Sequence, residues 1–288
     1  MKTALETAGN AAATLSASSV AMKRKVERAR WAALGLAILA AVLGAVTATF
    51  IKEGDPWRWV FVFATTLALG LGPWLAAHFL GQNQATRWVA VRAAAEALKR
   101  EVYKRAAKCK PYDGTPQEAD LALIKEKQAI EADLGDVEEV AAESIDLPKA
   151  EIDLNTYVIN RVDNQISWLR RRAGDHARWA AMLRWATILV GLIGVVLSAA
   201  GAALGETINA EYLAPFIGVV TTVSTALIAH IEAGRYDFIA AMYRATAKRL
   251  ENEQASHTPA TPLPDFVDKC EAILSTENTA WMAKFLKQ

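Results

Sequence analysis

"ARWAALGLAILAAVLGAV", residues 29–46, returns in altered form as "ARWAAMLRWATILVGLIGVVL" at residues 177–197. Each copy follows a basic run and leads into a long uncharged segment. Trp31 to Ile51 carries no charge, and neither does Trp185 to Gly205. Two further runs match them: Trp59 to Leu80, with only His78, and Leu213 to Ile231, with only His230. Each run is about 20 residues, enough for a helix to cross about 30 Å of hydrocarbon. In a soluble protein with buried core helices, a polar face would recur every 3.6 residues. These runs are apolar all round, and Trp31, Trp57, Trp59, Trp185 and Tyr212 sit at their ends as an interfacial aromatic belt would. The first run starts too far into the chain, and is too long, to be a signal peptide.

Net charge is only +1, but the charges are segregated. Lys and Arg flank the same end of every run: Lys23 to Arg30, Arg87 to Arg105, Arg170 to Arg184 and Arg235 to Arg249. The loops "KEGDPWR" and "ETINAEY" carry no such excess. The positive-inside rule therefore predicts a multi-pass protein of the inner (plasma) membrane, with both termini and the long middle segment cytoplasmic. Cys109 and Cys270 then lie on the reducing side as buried thiols, and no metal site is expected.

The two halves align beyond Ala-Arg-Trp. Each second span ends in Ala-His, at Ala77-His78 and Ala229-His230, with Arg92 and Arg244 equally far beyond. The reading is an all-α integral membrane protein. Four transmembrane helices form two parallel-repeat hairpins, and long helices extend into a cytoplasmic helical bundle. The expected domains are a first hairpin with its basic helix (1–110), an acidic helical segment (111–147) and a second hairpin with its entering and C-terminal helices (148–288). Parallel repeats argue against the inverted-repeat transporter plan and are what fusing two subunits of a homo-oligomer produces.

Small residues recur four apart in the first and third spans, as at Ala40, Gly44 and Ala48, and at Gly194, Ser198 and Ala202. That spacing lets helices pack closely in lipid. The second and fourth spans carry hydroxyls instead: Thr65, Thr66, Thr221, Thr222, Ser224 and Thr225. These either bond back to their own helix or line water in a pore. Gly70, Gly72 and Pro73 are expected to interrupt the second span. Glu206 and Glu211 would ring an outer mouth and favour cations. His78 and His230, near the cytoplasmic ends, are candidates for gating; a neutral interfacial His is the plain alternative.

Outside the spans, "RWVAVRAAAEALKREVYKRAAK" is expected to continue the second span as a basic helix. Thr115-Pro116-Gln117-Glu118 reads as a capping box opening an acidic helix. Pro148 is expected to open the helix that runs into the third span. Its face Tyr157, Arg161, Gln165, Trp168 should pack on a C-terminal stripe containing Phe266, Cys270, Ile273, Glu277, Trp281 and Phe285, with Arg161 paired to Glu277. His176 and His257 are isolated and read as exposed. No nucleophile–base set or phosphate loop appears, so catalysis, cofactors and nucleic-acid binding are not expected.

Tyr157-x3-Arg161-x3-Gln165-x2-Trp168, the Arg-rich turn into a hairpin and Glu277-x3-Trp281 resemble the SLATT superfamily, chiefly over residues 148–288. The first hairpin resembles a divergent second copy. SLATT domains are bacterial two-transmembrane effectors associated with nucleotide synthetases and nucleotide-sensing domains. The resemblance implies a pore-forming effector of an anti-phage or related conflict system that a signal, often a cyclic nucleotide, triggers. The expectation for this chain is a homo-oligomeric channel gated through its cytoplasmic helices, with a trigger that comes from a nucleotide-sensing or other partner protein, acts on those helices or is absent. A non-conducting scaffold that binds lipid headgroups and recruits a cytosolic protein is the alternative.

Overall fold

Thr3 and Glu6 make reciprocal side-chain to backbone bonds (3.0 and 3.1 Å), a capping box that starts the first helix far ahead of the first span. The computed structural model describes residues 3–132, 134, 140–141, 146–203, 212–258 and 261–286. All regular structure among them is helical: α1 (Ala4–Phe50), α2 (Arg58–Phe79), α3 (Gln82–Ala106), α4 (Pro116–Ala132), α5 (Leu154–Tyr157), a π-helical turn (Val158–Asp163), α6 (Asn164–Ala203), α7 (Ala214–Gly234), α8 (Tyr236–Ser256) and α9 (Leu263–Leu286). Four stretches are long and apolar enough to cross a membrane; they lie in α1, in α2, in α6 and from α7 onward.

Several boundaries depart from expectation. The helix leading to the third span begins at Leu154, not Pro148. Asp153 caps it, its carboxylate accepting from the Thr156 amide at 2.8 Å. Leu147, just before that proline, is instead buried against Gly9. The acidic helix is described to Ala132, and residues 146–148 are not helical. Its capping box is as expected: Glu118 Oε2 accepts from the Thr115 amide (2.9 Å) and hydroxyl (2.8 Å). α2 runs unbroken through Pro73, since Pro and Gly are tolerated in membrane helices whose freed backbone groups find other partners. The second span does not continue into α3. The helix stops at Leu80–Gly81, and the fourth stops a few residues later in the repeat, where Arg235 takes left-handed geometry (φ +48°). Gly234 is required there, because a Cβ would collide with the Tyr236 ring.

The chain gathers into two units, neither continuous in sequence. The polar unit holds Met1–Arg24, Gln82–Gly174 and Ile239–Gln288. Within it α3 packs against α4 and α9. Leu98, Val102, Leu123, Leu250 and Val267 are completely or almost completely buried, as are Tyr112, Tyr157 and Phe266. Each such side chain contributes about 1.5–3 kcal/mol. Exposed pairs such as Lys108–Glu151 (2.7 Å) contribute about 0–1 kcal/mol, so packing dominates this unit.

The apolar unit holds Lys25–Gly81 and Asp175–Phe238. Its core is thin: Leu34 of α1, Ala180 and Leu183 of α6, Leu227 of α7 and Tyr236, with Ile38, Val190 and Val223 around them. Phe63, Trp185 and Val196 stay about two-thirds exposed (64%, 64% and 66%). So much exposed apolar surface would aggregate in water and suits hydrocarbon. Small residues set the close approaches: Gly44 faces Thr65, and Gly194 lies so near α7 that a Cβ would come 2.7 Å from Val220 Cγ1. Gly194→Leu is therefore expected to destabilise the hairpin by about 1–3 kcal/mol. Gly191 of the same helix has open space beside it, so Gly191→Leu should change little. Thermal unfolding of the two purified variants in detergent checks this; equal shifts in Tm would contradict it.

Candidate functional site

The apolar unit brings the repeated Ala-Arg-Trp segments together. The Trp31 and Trp179 rings lie 5.2 Å apart. Trp31 also lies against His230, ring centroids 4.3 Å apart. His230 is buried, and the Tyr236 hydroxyl is 3.3 Å from its Nε2. Arg30 closes this collar, donating to the Ala233 carbonyl (3.3 Å) and the Tyr236 oxygen (3.4 Å) at the C-terminal end of α7. A cation suits that place, where helix carbonyls lack partners. His176, expected to be exposed, is half-buried against Tyr236 (5.8 Å). His257 likewise packs on Phe266 (4.6 Å) in the polar unit. His78, the counterpart of His230, is exposed and stacks parallel on Trp74 of its own helix (5.5 Å).

The hydroxyl candidates divide. Thr65, Thr66 and Thr221 donate to the carbonyls of Phe61, Val62 and Ile217 one turn back (2.8, 2.9 and 3.1 Å). Thr221, Ser224 and Thr225 share one face of α7 by their three- and four-residue spacing. Thr221, Thr222 and Thr225 are exposed, and Ser224 is half-buried. The packed face, with Val223, Leu227 and His230, is the opposite one. Glu206 and Glu211 lie outside the described residues.

In the polar unit the sequence reading found the right elements and the wrong partner. Arg161 pairs with Glu271, not Glu277: Nε to Oε1 at 2.8 Å and an Nη to Oε2 at 2.9 Å, the fork of a bidentate pair. The Tyr157 hydroxyl donates to the same Oε1 at 3.1 Å. Both charges are buried, Arg161 at 4% and Glu271 at 1% exposure. Burial works against charge on Arg161, and Glu271 outweighs it. Tyr103 covers the guanidinium, its ring 4.8 Å away, and meets Tyr157 edge-on. Trp168 meets Tyr243 of α8 (5.4 Å), and Gln165 is half-buried beside it. The Trp281 side chain is outside the described set.

Glu277 faces Arg92 of α3 at 3.8 Å, too long for a hydrogen bond, and its Oε1 has none. Burial therefore pushes its carboxyl up to about 7; Arg92 opposes this and nearby Glu96 adds to it. Glu96 also feels burial, but Lys99 at 2.8 Å, then Arg161 and Arg92, outweigh it and hold it down to about 2. Arg92 also bonds the Tyr243 hydroxyl. Cys109 and Cys270 are buried thiols pushed up to about 12 by desolvation, which leaves them poor nucleophiles. Among the described residues, His, Cys, Asp and Glu side chains gather into no metal-binding group.

Residues 13–120 match the model of a family described as proteins of unknown function, DUF4231. Residues 157–281 match the model described as SMODS and SLOG-associating 2TM effector domain 1. No curated protein and no solved structure matches the chain. The second match starts at Tyr157, the buried hydroxyl of the ion-pair cluster, and takes in Arg161, Glu271 and the whole α6–α7 hairpin. The second hairpin thus carries the match to the SMODS and SLOG-associating two-transmembrane effector domain, and it follows a first hairpin that matches DUF4231.

Proposed function

We propose that the chain is a homo-oligomeric membrane channel, or pore-forming effector, of a bacterial anti-phage or related conflict system. The observation that supports it most is the outward hydroxyl face of α7. Thr221, Ser224 and Thr225 stand opposite the face that packs within the chain, as residues reserved for a water-lined wall would. The Lys- and Arg-rich flanks support a cytoplasmic polar unit by the positive-inside rule. There a nucleotide-sensing partner protein would act on it. The reading gives the chain no catalytic step; its other partners are membrane lipid and copies of itself.

The back-bonded hydroxyls of Thr65, Thr66 and Thr221 favour a second reading, a non-conducting scaffold. A hydroxyl that bonds its own helix needs no water. Ion flux through liposomes holding the purified chain separates the two. Flux is expected, and the combined Thr221→Leu, Thr222→Leu and Thr225→Leu variant should lower it several-fold by drying the wall. Flux that this variant leaves unchanged would move the wall off α7. No flux, with candidate cyclic nucleotides or without, would favour the scaffold.

A further inference from the structure

The packing between the two hairpins is one-sided. Trp31 and Leu34 of α1 share a cluster with Val223, Ala226, Leu227 and His230 of α7. In a closed two-fold pair the reciprocal contact would also form, Trp179 against His78. The described ring contacts of His78 are instead with Trp74 and Phe79, both on or beside its own helix. Trp179 also touches its equivalent Trp31 within the chain (5.2 Å), but the Trp-on-His seat forms once only, so in that contact the first hairpin meets the second head to tail, and such an interface leaves one unmatched seat at each end.

Those faces can be named by the repeat. The counterparts of Trp31 and Leu34 are Trp179 and Met182, exposed at 43% and 51%. The counterparts of Val223, Ala226 and His230 are Leu71, Trp74 and His78, all exposed and spaced three and four apart on one side of α2. We propose that the two faces join between chains: Trp179 and Met182 of one copy seat on Leu71, Trp74 and His78 of the next. The contact repeats, between copies, the interface already made inside each copy. Arg178, exposed and equivalent to Arg30, then reaches the C-terminal turn of the neighbour's α2, as Arg30 reaches that of α7. Thr66 lies on a different side of α2 from this stripe, and the α7 hydroxyls are not used by it. This assignment rests on the oligomeric reading above and names its interface.

Paired cysteines test it on the full chain in native membrane vesicles. Trp31→Cys with His230→Cys is the reference and should close within one chain. Trp179→Cys with His78→Cys should give a ladder of covalent dimers and larger species on mild oxidation, and neither single substitution should. The buried Cys109 and Cys270 stay in place in every variant. Monomer alone, while the reference pair closes, overturns the proposal. So does a cross-link confined to one chain, which means a closed two-fold pair, and so does dimer from Trp179→Cys alone, which means a symmetric interface. Liposome flux from the same preparations separates the two ideas. Flux without the ladder removes the interface and keeps the channel; the ladder without flux does the reverse.

Discussion

Replacing Glu271 with leucine should destabilise the polar unit by about 3–5 kcal/mol, because it strands a buried guanidinium. Arg161 is 4% exposed, and both of its described charge-assisted bonds end on this one carboxylate. Leucine removes the acceptor and leaves the cation where water cannot reach it. Tyr157 loses its acceptor as well. Replacing both partners, Arg161→Met with Glu271→Leu, should recover most of the loss, since two apolar side chains fill the space without a buried charge. Urea unfolding of the purified chain in detergent, followed by tryptophan fluorescence, gives the four midpoints of the cycle. Single-variant losses that simply add in the double variant would show that the pair is not coupled.

The identity of that partner marks where the sequence stopped being informative. The hairpins were legible because lipid imposes a crude rule: about 20 uncharged residues, aromatic ends and basic flanks. The Thr115 box was legible because capping is local, and the Thr3 and Asp153 caps were equally available to the same rule. The α9 carboxylate that Arg161 meets was not legible. The expected stripe through Phe266, Cys270 and Glu277 leaves out Glu271, one residue beyond Cys270, which is the buried partner. Opposite it, Val158–Asp163 is a π-helical turn, which adds a residue per turn and moves Arg161 off ideal α spacing. No periodicity reveals such a turn. The breaks after α2 and α7 had a faint signal in Gly81 and Gly234, each following an Ala-His pair by a few residues. In the candidate site, the repeat identified Trp31 and Trp179, and His78 and His230, as equivalents. It could not show that the chain would pair one Trp with the other hairpin's His and leave the second pair apart.

Stability of the polar unit should fall as pH rises from 5 to 8, and Glu277 should be the reason. Its carboxyl sits at about 7 in the folded chain against an ordinary 4.5. Between those values the folded state keeps a proton that the unfolded chain has released. Folding is then favoured by proton uptake, so the contribution is complete below about 4.5 and is lost as pH climbs through about 7. The full span corresponds to about 3 kcal/mol. Glu96 does not confuse the window. Its carboxyl is held down to about 2, so its own contribution is lost only as pH falls below 4.5. Glu277→Gln keeps the shape and removes the proton. It should match the parent chain at pH 5, exceed it in Tm at pH 8 and flatten the profile between. Parallel profiles for the two proteins would mean that Arg92, 3.8 Å away, already holds Glu277 ionised at pH 5. The α3–α9 contact would then be an ordinary ion pair. If the profiles diverge, a buried acid sits on α9 beside Arg92, Glu96 and Tyr243 and changes charge near neutral pH, so modest acidification would tighten the unit.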